Sequence, residues 1–390
     1  MKFDFTFHNP TKIFFGRNSL DNLETELKNY GKKILLAYGG GSIKKNGIYD
    51  KVVAILKKCD KEIFECPGIL PNPALSKMLE GAKIVRDNNI DLILAVGGGS
   101  VVDCAKGISV SAYAEGFDAY QEYWINCGPI RDHKIVPVAS VLTMVGTGSE
   151  MNGGSVITDV ENKIKAGRVF PSQVNPKFSI LNPEFTFTVS KYQMVSGIFD
   201  IMSHCMEQYF SGDDDNTSDY LIEALLKCVI KSTKVALQDP TNYEARSNIM
   251  WCATMALNKV VGCSKEQDWE VHAIEHQLGA YTNCSHGMGL CAISMPYYRF
   301  IYKYGLDKFV RFAKVIWNVD DTGKTKEQVA LEGIDCLEKF AKESGMVTTL
   351  KELGATKEML PDIANSCNLG GGYKKVTHEE ILEVLKQCYE

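Results

Sequence analysis

The sequence predicts two domains, an α/β domain with a parallel sheet over residues 1–183 and an all-helical domain over residues 184–390. In the first half, short apolar runs that end in glycine alternate with segments of helical spacing. After Asn182-Pro183, long helical patterns take over. Short apolar runs between helices are typical of strands buried on both faces of a parallel sheet. A length of 390 residues suits two domains of ordinary size.

Three apolar runs predict the centre of the sheet. They cover residues 33–38, 91–96 and 135–139, and a stretch rich in glycine, serine or threonine follows each of them. Helical spacing over residues 50–58 and 75–88 predicts helices between the first two strands. The first strand of the chain is predicted further upstream, where Phe3, Phe5 and Phe7 alternate with other residues. That strand would lie at a sheet edge or pair with another subunit.

The second half predicts long helices. The strongest helical patterns cover residues 191–211, 218–238, 242–261 and 327–344. Pro240 and Gly345 stand where two of these helices are expected to end.

Composition excludes several classes of protein. Hydrophobic residues make up 45% and charged residues 23%, which is typical of a globular chain. A net charge of −5 argues against nucleic acid as the main partner. No apolar run approaches the ~18 residues that a membrane span needs, and no signal peptide is recognised at the N-terminus. Thirteen cysteines without a CxxC pair favour reduced thiols and a cytoplasmic location over disulfides or a zinc ribbon.

Glycine-rich turns follow the three predicted central strands. They are residues 39–42, 97–100 and 146–149. Glycines leave backbone N–H groups bare, and a helix that starts there adds its positive end, so such turns favour a phosphate. The GxGxxG fingerprint of an ordinary Rossmann site is absent, and a tight turn that needs positive φ is the structural alternative. Because all three turns would lie at the carboxyl ends of parallel strands, we predict a phosphate-binding cleft there.

A cluster of histidines in the second half predicts a metal site. Asp200 and His204 are four residues apart, His272 and His276 repeat this spacing, and His286 follows. Residues four apart share one face of a helix. A carboxylate combined with imidazoles suits Fe²⁺ or Zn²⁺. One histidine alone would be an ordinary core residue, but the cluster points to a metal.

The same segment permits a different enzyme class. Residues 272–276 also fit the H-x-x-E-H pattern of a zinc protease. In that interpretation His272 and His276 both bind zinc, and Glu275 or a neighbour activates water. It leaves the glycine turns, Asp200 and His204 without a role, so it ranks as a distant alternative.

With these motifs in place, the chain resembles the iron-containing (group III) alcohol dehydrogenases, and within them the butanol dehydrogenase branch. The resemblance implies a Rossmann-like parallel-sheet domain followed by an all-helical metal-binding domain, the architecture shared with dehydroquinate synthase. It runs through nearly the whole chain and is carried by residues 10–16, 38–42, 71–73, 97–103, 146–150, 197–204 and 272–280. The segment 365–375 is the least similar, and no role is expected for it.

The resemblance also implies roles for individual residues. The metal ligands would be Asp200, His204, His272 and His286, while His276 would lie beside the nicotinamide and relay a proton. Residues implied to bind the cofactor are Gly39, Gly40, Gly41, Ser42, Asn72, Gly97, Gly98, Gly99, Ser100, Asp103, Thr143, Thr147, Ser149 and Lys165. The family is often dimeric through N-terminal strands, which implies a homodimer here.

The expected activity is a metal-dependent, NAD(P)H-linked alcohol dehydrogenase or aldehyde reductase for short-chain primary alcohols and aldehydes such as butanol and butyraldehyde. A zinc polyol dehydrogenase of the glycerol type is the alternative within the superfamily. The expected metal is Fe²⁺, with Zn²⁺ as the substitute. NAD-using relatives carry an aspartate in the turn at 39–42, whereas this turn has only glycine and serine, followed by Lys44 and Lys45. We therefore expect NADP(H) to be preferred over NAD(H).

Overall fold

The computed structural model describes residues 3–390 and divides them into two compact units. One unit is formed by residues 8–189, and the other by residues 190–390 together with residues 3–7. From the sequence we predict a domain boundary after residue 183, with residues 3–7 in the first domain. These first residues instead associate with the helical unit, where the backbone N–H of Phe3 donates a hydrogen bond to Oγ of Ser264 at 2.8 Å.

Eight strands form two sheets in the first unit. The strands are β1 Lys12–Phe15, β2 Lys33–Tyr38, β3 Glu62–Cys66, β4 Leu92–Gly97, β5 Val138–Leu142, β6 Gly154–Asp159, β7 Ile164–Val169 and β8 Phe178–Leu181. Six of them pair in the order β1-β8-β5-β4-β2-β3, and all of these pairs are parallel. β6 and β7 form a separate antiparallel hairpin.

The parallel sheet is buried on both faces, as the uninterrupted apolar runs predict. In β4, Ile93 and Ala95 enter the apolar core on one face, and Leu92 and Leu94 enter the core on the other. This alternation follows from the two-residue period of a strand. The predicted α/β fold with a parallel sheet is confirmed.

Fourteen α-helices are found in the described residues. Those of the first unit are α1 Asn22–Leu27, α2 Ser42–Lys45, α3 Ile48–Lys58, α4 Leu75–Asn88 and α5 Gly99–Ser111. Those of the second unit are α6 Lys191–Tyr209, α7 Thr217–Gln238, α8 Tyr243–Ala256, α9 Glu270–Thr282, α10 His286–Ile301, α11 Leu306–Trp317, α12 Lys326–Ser344, α13 Leu360–Ser366 and α14 His378–Gln387. No strand is assigned among the described residues of this second unit, so the predicted helical domain is also confirmed.

Three predicted elements differ from the structure by more than two residues. β5 begins at Val138 rather than at residue 135, because Pro137 has no N–H for the ladder and only its carbonyl accepts, from Ile93. α8 ends at Ala256 instead of residue 261, since the side chain of Asn258 accepts the N–H of Val260 and offers the backbone a turn in place of the helix.

The N-terminal strand prediction is wrong for the single chain. Residues 3–11 form no strand, and the rings of Phe3, Phe5 and Phe7 are 43%, 50% and 46% exposed. Among the strands found in residues 3–390, none pairs with this segment. Pairing with a second subunit stays a prediction. Between residues 3 and 390, no helix has the length and apolar character required to cross a membrane.

Candidate active site

The three glycine turns lie side by side at the carboxyl ends of adjacent strands of the parallel sheet. They follow β2, β4 and β5, which are adjacent in the sheet, at the carboxyl end of each strand. The turn after β5 is attached to the turn after β4, because the backbone N–H of Thr143 donates to the carbonyl of Gly97 at 2.9 Å. The predicted alignment of the turns is confirmed.

Close approach, not positive φ, explains the glycines after β4. Residues 97–99 are absent from the positions with positive φ, so the structural alternative of a strained turn is wrong for them. A Cβ on Gly97 would overlap the side chain of Val101, and one on Gly99 would overlap the side chain of Thr147. The missing side chains therefore let two turns and the start of α5 pack closely together.

Asp103 and Lys106 on α5 hold the third turn in place. The carboxylate of Asp103 accepts hydrogen bonds from Oγ of Ser149 and, at 3.0 Å, from the N–H of Val156. The fully buried Nζ of Lys106 donates to the carbonyls of Ser149 at 3.0 Å and Asn152 at 3.1 Å. Asp103 and Ser149 thus contact each other in the structure, and both support the shape of the turn.

Two further predicted cofactor residues, Asn72 and Lys165, belong to neighbouring segments. Thr158 pairs with Lys165 in the β6–β7 hairpin and forms a bridge with Ala74. Its N–H donates to the carbonyl of Pro73 at 2.9 Å. Asn72 has a φ of 51°, in the left-handed region. The segment after Asn72 therefore lies next to β6, and Lys165 is on β7, the other strand of the same hairpin.

Three helices of the second unit bring the predicted metal ligands together. Asp200 and His204 lie on α6, His272 lies on α9, and His286 begins α10. Suitable ligand atoms of Asp200, His204 and His272 all lie within 4.8 Å of one another. Oδ1 of Asp200 is 3.2 Å from Nε2 of His204, 3.8 Å from Nε2 of His272 and 3.6 Å from Nε2 of His286.

These distances suit a bound metal ion. Ligands of a tetrahedral ion with bonds of about 2.1 Å lie roughly 3.4 Å apart. Oδ1 of Asp200 and Nε2 of His272 are buried and have no hydrogen-bond partner among the described residues. Such atoms are costly unless something satisfies them, and a cation would do so. The residues present therefore fit a divalent metal with three nitrogen ligands and one oxygen ligand.

The electrostatics of the cluster point the same way. Burial lowers the pKa of His204 to about 4, so its ring is neutral and its nitrogen lone pair is available. Burial by itself would lower the pKa of His272, but the carboxylates of Glu207 and Asp200 raise it to about 10. Burial would raise the pKa of Asp200, yet the three histidines hold it below its usual range. The two carboxylates thus favour positive charge at His272, and a bound cation would take the place of the proton on its Nε2.

Two glutamates that the sequence reasoning did not assign to the metal site contact its histidines. Glu207 accepts a hydrogen bond from Nδ1 of His272 at 2.5 Å, and Glu275 accepts one from Nδ1 of His286. A signal for Glu207 exists in the sequence, because it lies seven residues after Asp200 and therefore on the same side of α6.

The zinc-protease interpretation does not suit this geometry. Glu275, the base named in that interpretation, is fully buried and bonded to His286, so it is not free to activate water. It also needs His276 as a ligand, whereas Nε2 atoms of three other histidines already face Oδ1 of Asp200, at 3.2, 3.8 and 3.6 Å.

Comparisons with known proteins identify relatives of both units. Residues 10–183 match the family model described as iron-containing alcohol dehydrogenase, and residues 194–389 match the C-terminal model of the Fe-containing alcohol dehydrogenase family. The chain is 38% identical to NADH-dependent butanol dehydrogenase A of Clostridium acetobutylicum, with 100% of both chains covered. It is 32% identical to the NADPH-dependent aldehyde reductase YqhD of Escherichia coli, with 99% of both covered.

A solved structure agrees with these sequence relatives. The crystal structure of NADH-dependent butanol dehydrogenase A from Thermotoga maritima superimposes with a TM-score of 0.94 at 37% identity, and the match covers 100% of this chain and 99% of that one. The similarity spans both units of the chain, so the expected family and its two-domain architecture are confirmed.

Proposed function

The chain belongs to the iron-containing alcohol dehydrogenase family, and from this premise we propose that it interconverts short-chain primary alcohols and aldehydes, such as butanol and butyraldehyde, with a nicotinamide coenzyme. One observation carries the proposal: Nε2 atoms of three imidazoles converge on Oδ1 of Asp200. This buried oxygen accepts no hydrogen bond from the described residues. The names of relatives that cover the whole chain support the substrate class.

The proposed metal ligands are Asp200, His204, His272 and His286. When bound, the divalent metal supplies Lewis acidity toward the substrate oxygen, and the nicotinamide supplies the hydride chemistry. The donor set of three nitrogens and one oxygen accepts either Fe²⁺ or Zn²⁺. We propose Fe²⁺ on the strength of the family, with Zn²⁺ as the alternative.

Coenzyme binding is proposed for the carboxyl ends of the central strands in the first unit. The N–H groups of the turn at 97–100 and the positive end of α5 favour the pyrophosphate. The turn at 39–42 would lie at the adenosine ribose, with Asn72, Thr143, Thr147 and Lys165 lining the remaining contacts. Asp103 and Ser149 would keep the turn at 146–149 in shape, through the hydrogen bond between their side chains.

His276 is the proposed proton carrier. Its ring centroid lies 6.3 Å from that of His272 and 5.9 Å from that of His286, beside the proposed ligands. A histidine in such a position can exchange a proton with the substrate hydroxyl and pass it to solvent near neutral pH.

We propose that NADP(H) is preferred. The turn at 39–42 has no acidic side chain to repel a 2′-phosphate. Nζ of Lys44 lies 5.0 Å from the ring centre of Tyr38 and 4.5 Å from that of Tyr49, which keeps one positive charge beside this turn. Of the three relatives named above, the two that are more similar to this chain are called NADH-dependent and the third is called NADPH-dependent.

A homodimer and a cytoplasmic location complete the proposal. The exposed rings of Phe3, Phe5 and Phe7 would be covered if residues 3–7 paired with the same segment of a second copy. Thirteen free cysteines are in keeping with a reducing compartment. Light scattering of the purified chain measures the oligomeric state directly.

The experiment that tests the function is an absorbance assay at 340 nm with butyraldehyde and either NADH or NADPH. The enzyme is first treated with a chelator, and Fe²⁺ or Zn²⁺ is then added back. We expect coenzyme oxidation only after a metal is restored. If aldehyde reduction persists in the chelated, metal-free protein, the proposed metal chemistry is wrong.

A further inference from the structure

Two buried carboxylates accept hydrogen bonds from Nδ1 of two proposed metal ligands, on the side of each ring opposite Nε2. Oε1 of Glu207 accepts from Nδ1 of His272 at 2.5 Å, and Oε2 of Glu275 accepts from Nδ1 of His286. Both glutamate side chains are fully buried. In each histidine the second ring nitrogen, Nε2, is the one that faces Asp200.

The two pairs connect three helices in sequence. Glu207 lies on α6 and reaches His272 on α9, while Glu275 lies on α9 and reaches His286 on α10. Each carboxylate therefore extends from one helix to the ligand on the next. The chain positions that meet in this way are 65 and 11 residues apart.

The carboxylate of Glu207 is itself held in place. Its Oε1 accepts from Oγ of Ser203 at 2.7 Å, and its Oε2 accepts from the backbone N–H of His272 at 3.1 Å. Glu207 thus binds both the ring and the backbone of the same histidine. This leaves little freedom for either the carboxylate or the ring to rotate.

A glycine makes room for Glu275. A Cβ added at Gly289 on α10 would come within 2.8 Å of Cγ of Glu275. The absence of a side chain at Gly289 therefore lets the buried glutamate sit between α9 and the first turn of α10, where His286 is located.

We propose that Glu207 and Glu275 are positioning residues that orient His272 and His286 and direct Nε2 of each ring toward the metal. A carboxylate that accepts the Nδ1 proton leaves the lone pair on Nε2, fixes the ring and raises its basicity as a ligand. This inference rests on the proposed function, because it presupposes a metal bound by these histidines.

His204 provides an internal contrast. Its Nδ1 is buried without a hydrogen-bond partner among the described residues. It shares α6 with Asp200, four residues away, and its ring stacks on that of His272 with 4.9 Å between centroids and an angle of 18°. The helix itself sets the distance between Asp200 and His204, whereas ligands on separate helices need another means of alignment.

The test measures Co²⁺ binding to the full-length protein after removal of its native metal. The variants are Glu207→Gln and Glu275→Gln, which keep the shape of the side chain and remove its charge. Glu223→Gln is the matched control, because Glu223 is also buried in this unit but accepts from Tyr209 and Arg311. The dissociation constant is obtained by competition with a chelator, and the visible absorption spectrum of bound Co²⁺ reports ligand geometry.

We expect Glu207→Gln and Glu275→Gln each to bind Co²⁺ about 10- to 100-fold more weakly, with altered Co²⁺ absorption bands. Glu223→Gln should match the unmutated protein in both measurements. If both test variants keep the unmutated affinity and spectrum, the inference is overturned and the proposed function stands. If the unmutated protein does not bind Co²⁺, the inference and the proposed metal site both fail.

A milder variant covers the case in which Glu207→Gln does not fold. Ser203→Ala retains the Glu207 carboxylate and removes only the hydrogen bond from the Ser203 hydroxyl. We expect a smaller loss of Co²⁺ affinity and a shift of the same absorption bands. Unchanged binding and spectra in both Ser203→Ala and Glu275→Gln would contradict the inference.

Discussion

Oδ1 of Asp103 accepts a hydrogen bond from Oγ of Ser149, so a buried carboxylate on α5 directly holds the glycine-rich turn that follows β5. Nζ of Lys106, one helical turn further along α5, lies 3.8 Å from the same carboxylate oxygen and donates to the carbonyls of Ser149 and Asn152. The two side chains of α5 therefore fix both the hydroxyl and the backbone of this turn.

Replacing Lys106 by methionine should disrupt the turn. The carbonyls of Ser149 and Asn152 would lose their buried donor, at a cost of about 1–3 kcal/mol in the free energy of unfolding. We expect the KM for the coenzyme to rise more than kcat falls, because the turn would be displaced while the metal ligands are unchanged. Steady-state kinetics and urea denaturation of both proteins measure the two effects. An unchanged KM for the coenzyme would argue against a coenzyme role for this turn.

The difference in free energy of unfolding between the unmutated protein and Lys106→Met should also depend on pH. Burial lowers the pKa of Lys106 to about 8, below the value of about 10.4 for a lysine in an unfolded chain. Between these values the unfolded state binds more protons than the folded state, so the free energy of unfolding contributed by Lys106 increases as the pH rises. The advantage of the unmutated protein over Lys106→Met should therefore grow from pH 7.5 to pH 9.5 in urea denaturation. A constant difference would show that Lys106 titrates normally.

Loss of a metal ligand should abolish both metal binding and turnover. In His272→Ala and Asp200→Ala one of the four ligands is missing, so the affinity for the metal should fall by at least about 100-fold. Elemental analysis measures the metal content, and the assay at 340 nm measures turnover. His378→Ala serves as the control. His378 is not among the proposed ligands, and its Nδ1 donates a hydrogen bond to the backbone carbonyl of Ala364. A full metal complement in either ligand variant would refute the ligand assignment.

The elements best predicted from the sequence are those whose pattern depends only on local period. The apolar run at 33–38 became β2 and the spacing at 75–88 became α4, each with the predicted bounds. The pairs Asp200 with His204 and His272 with His276 were found in the same way, because four residues on a helix always define one face.

Contacts between distant parts of the chain could not be predicted in this way. The pair of Glu207 with His272 joins positions 65 residues apart, and no periodic pattern signals such a contact. Glu275 was noticed for the wrong reason, since the local H-x-x-E-H pattern does not reveal that its carboxylate turns toward His286. The strand expected over Phe3–Phe7 is not formed in the single chain. Alternation predicts an amphipathic segment, but it does not show whether a partner strand exists.

His276→Ala should separate proton transfer from metal binding. We expect the variant to keep its metal, because Asp200 and the three histidines whose Nε2 atoms face it would still supply four ligands. Turnover should fall by about 10²- to 10⁴-fold, the usual range for loss of a positioned acid or base. Elemental analysis and the pH dependence of kcat provide the two measurements. Loss of the metal in His276→Ala would instead make this residue a ligand.

The choice of coenzyme can be tested at Gly39, the first residue after β2. We expect the unmutated protein to have a higher kcat/KM with NADPH than with NADH, because the turn at 39–42 lacks an acidic side chain. In Gly39→Asp, the new carboxylate would repel the 2′-phosphate and accept from the ribose hydroxyl of NADH. The ratio of the two kcat/KM values should shift toward NADH by about 10-fold or more, which corresponds to about 1.4 kcal/mol.

Gly39→Asn is the control that separates charge from crowding. A Cβ at Gly39 would lie 3.1 Å from the carbonyl oxygen of Ile69, so any side chain requires a small adjustment there. Asparagine has the size of aspartate without its charge, and it should weaken binding of both coenzymes to a similar extent. Only Gly39→Asp should reverse the preference. Equal or better kcat/KM with NADH in the unmutated protein would contradict the NADP(H) preference, whereas the fold and the metal site would be unaffected by that result.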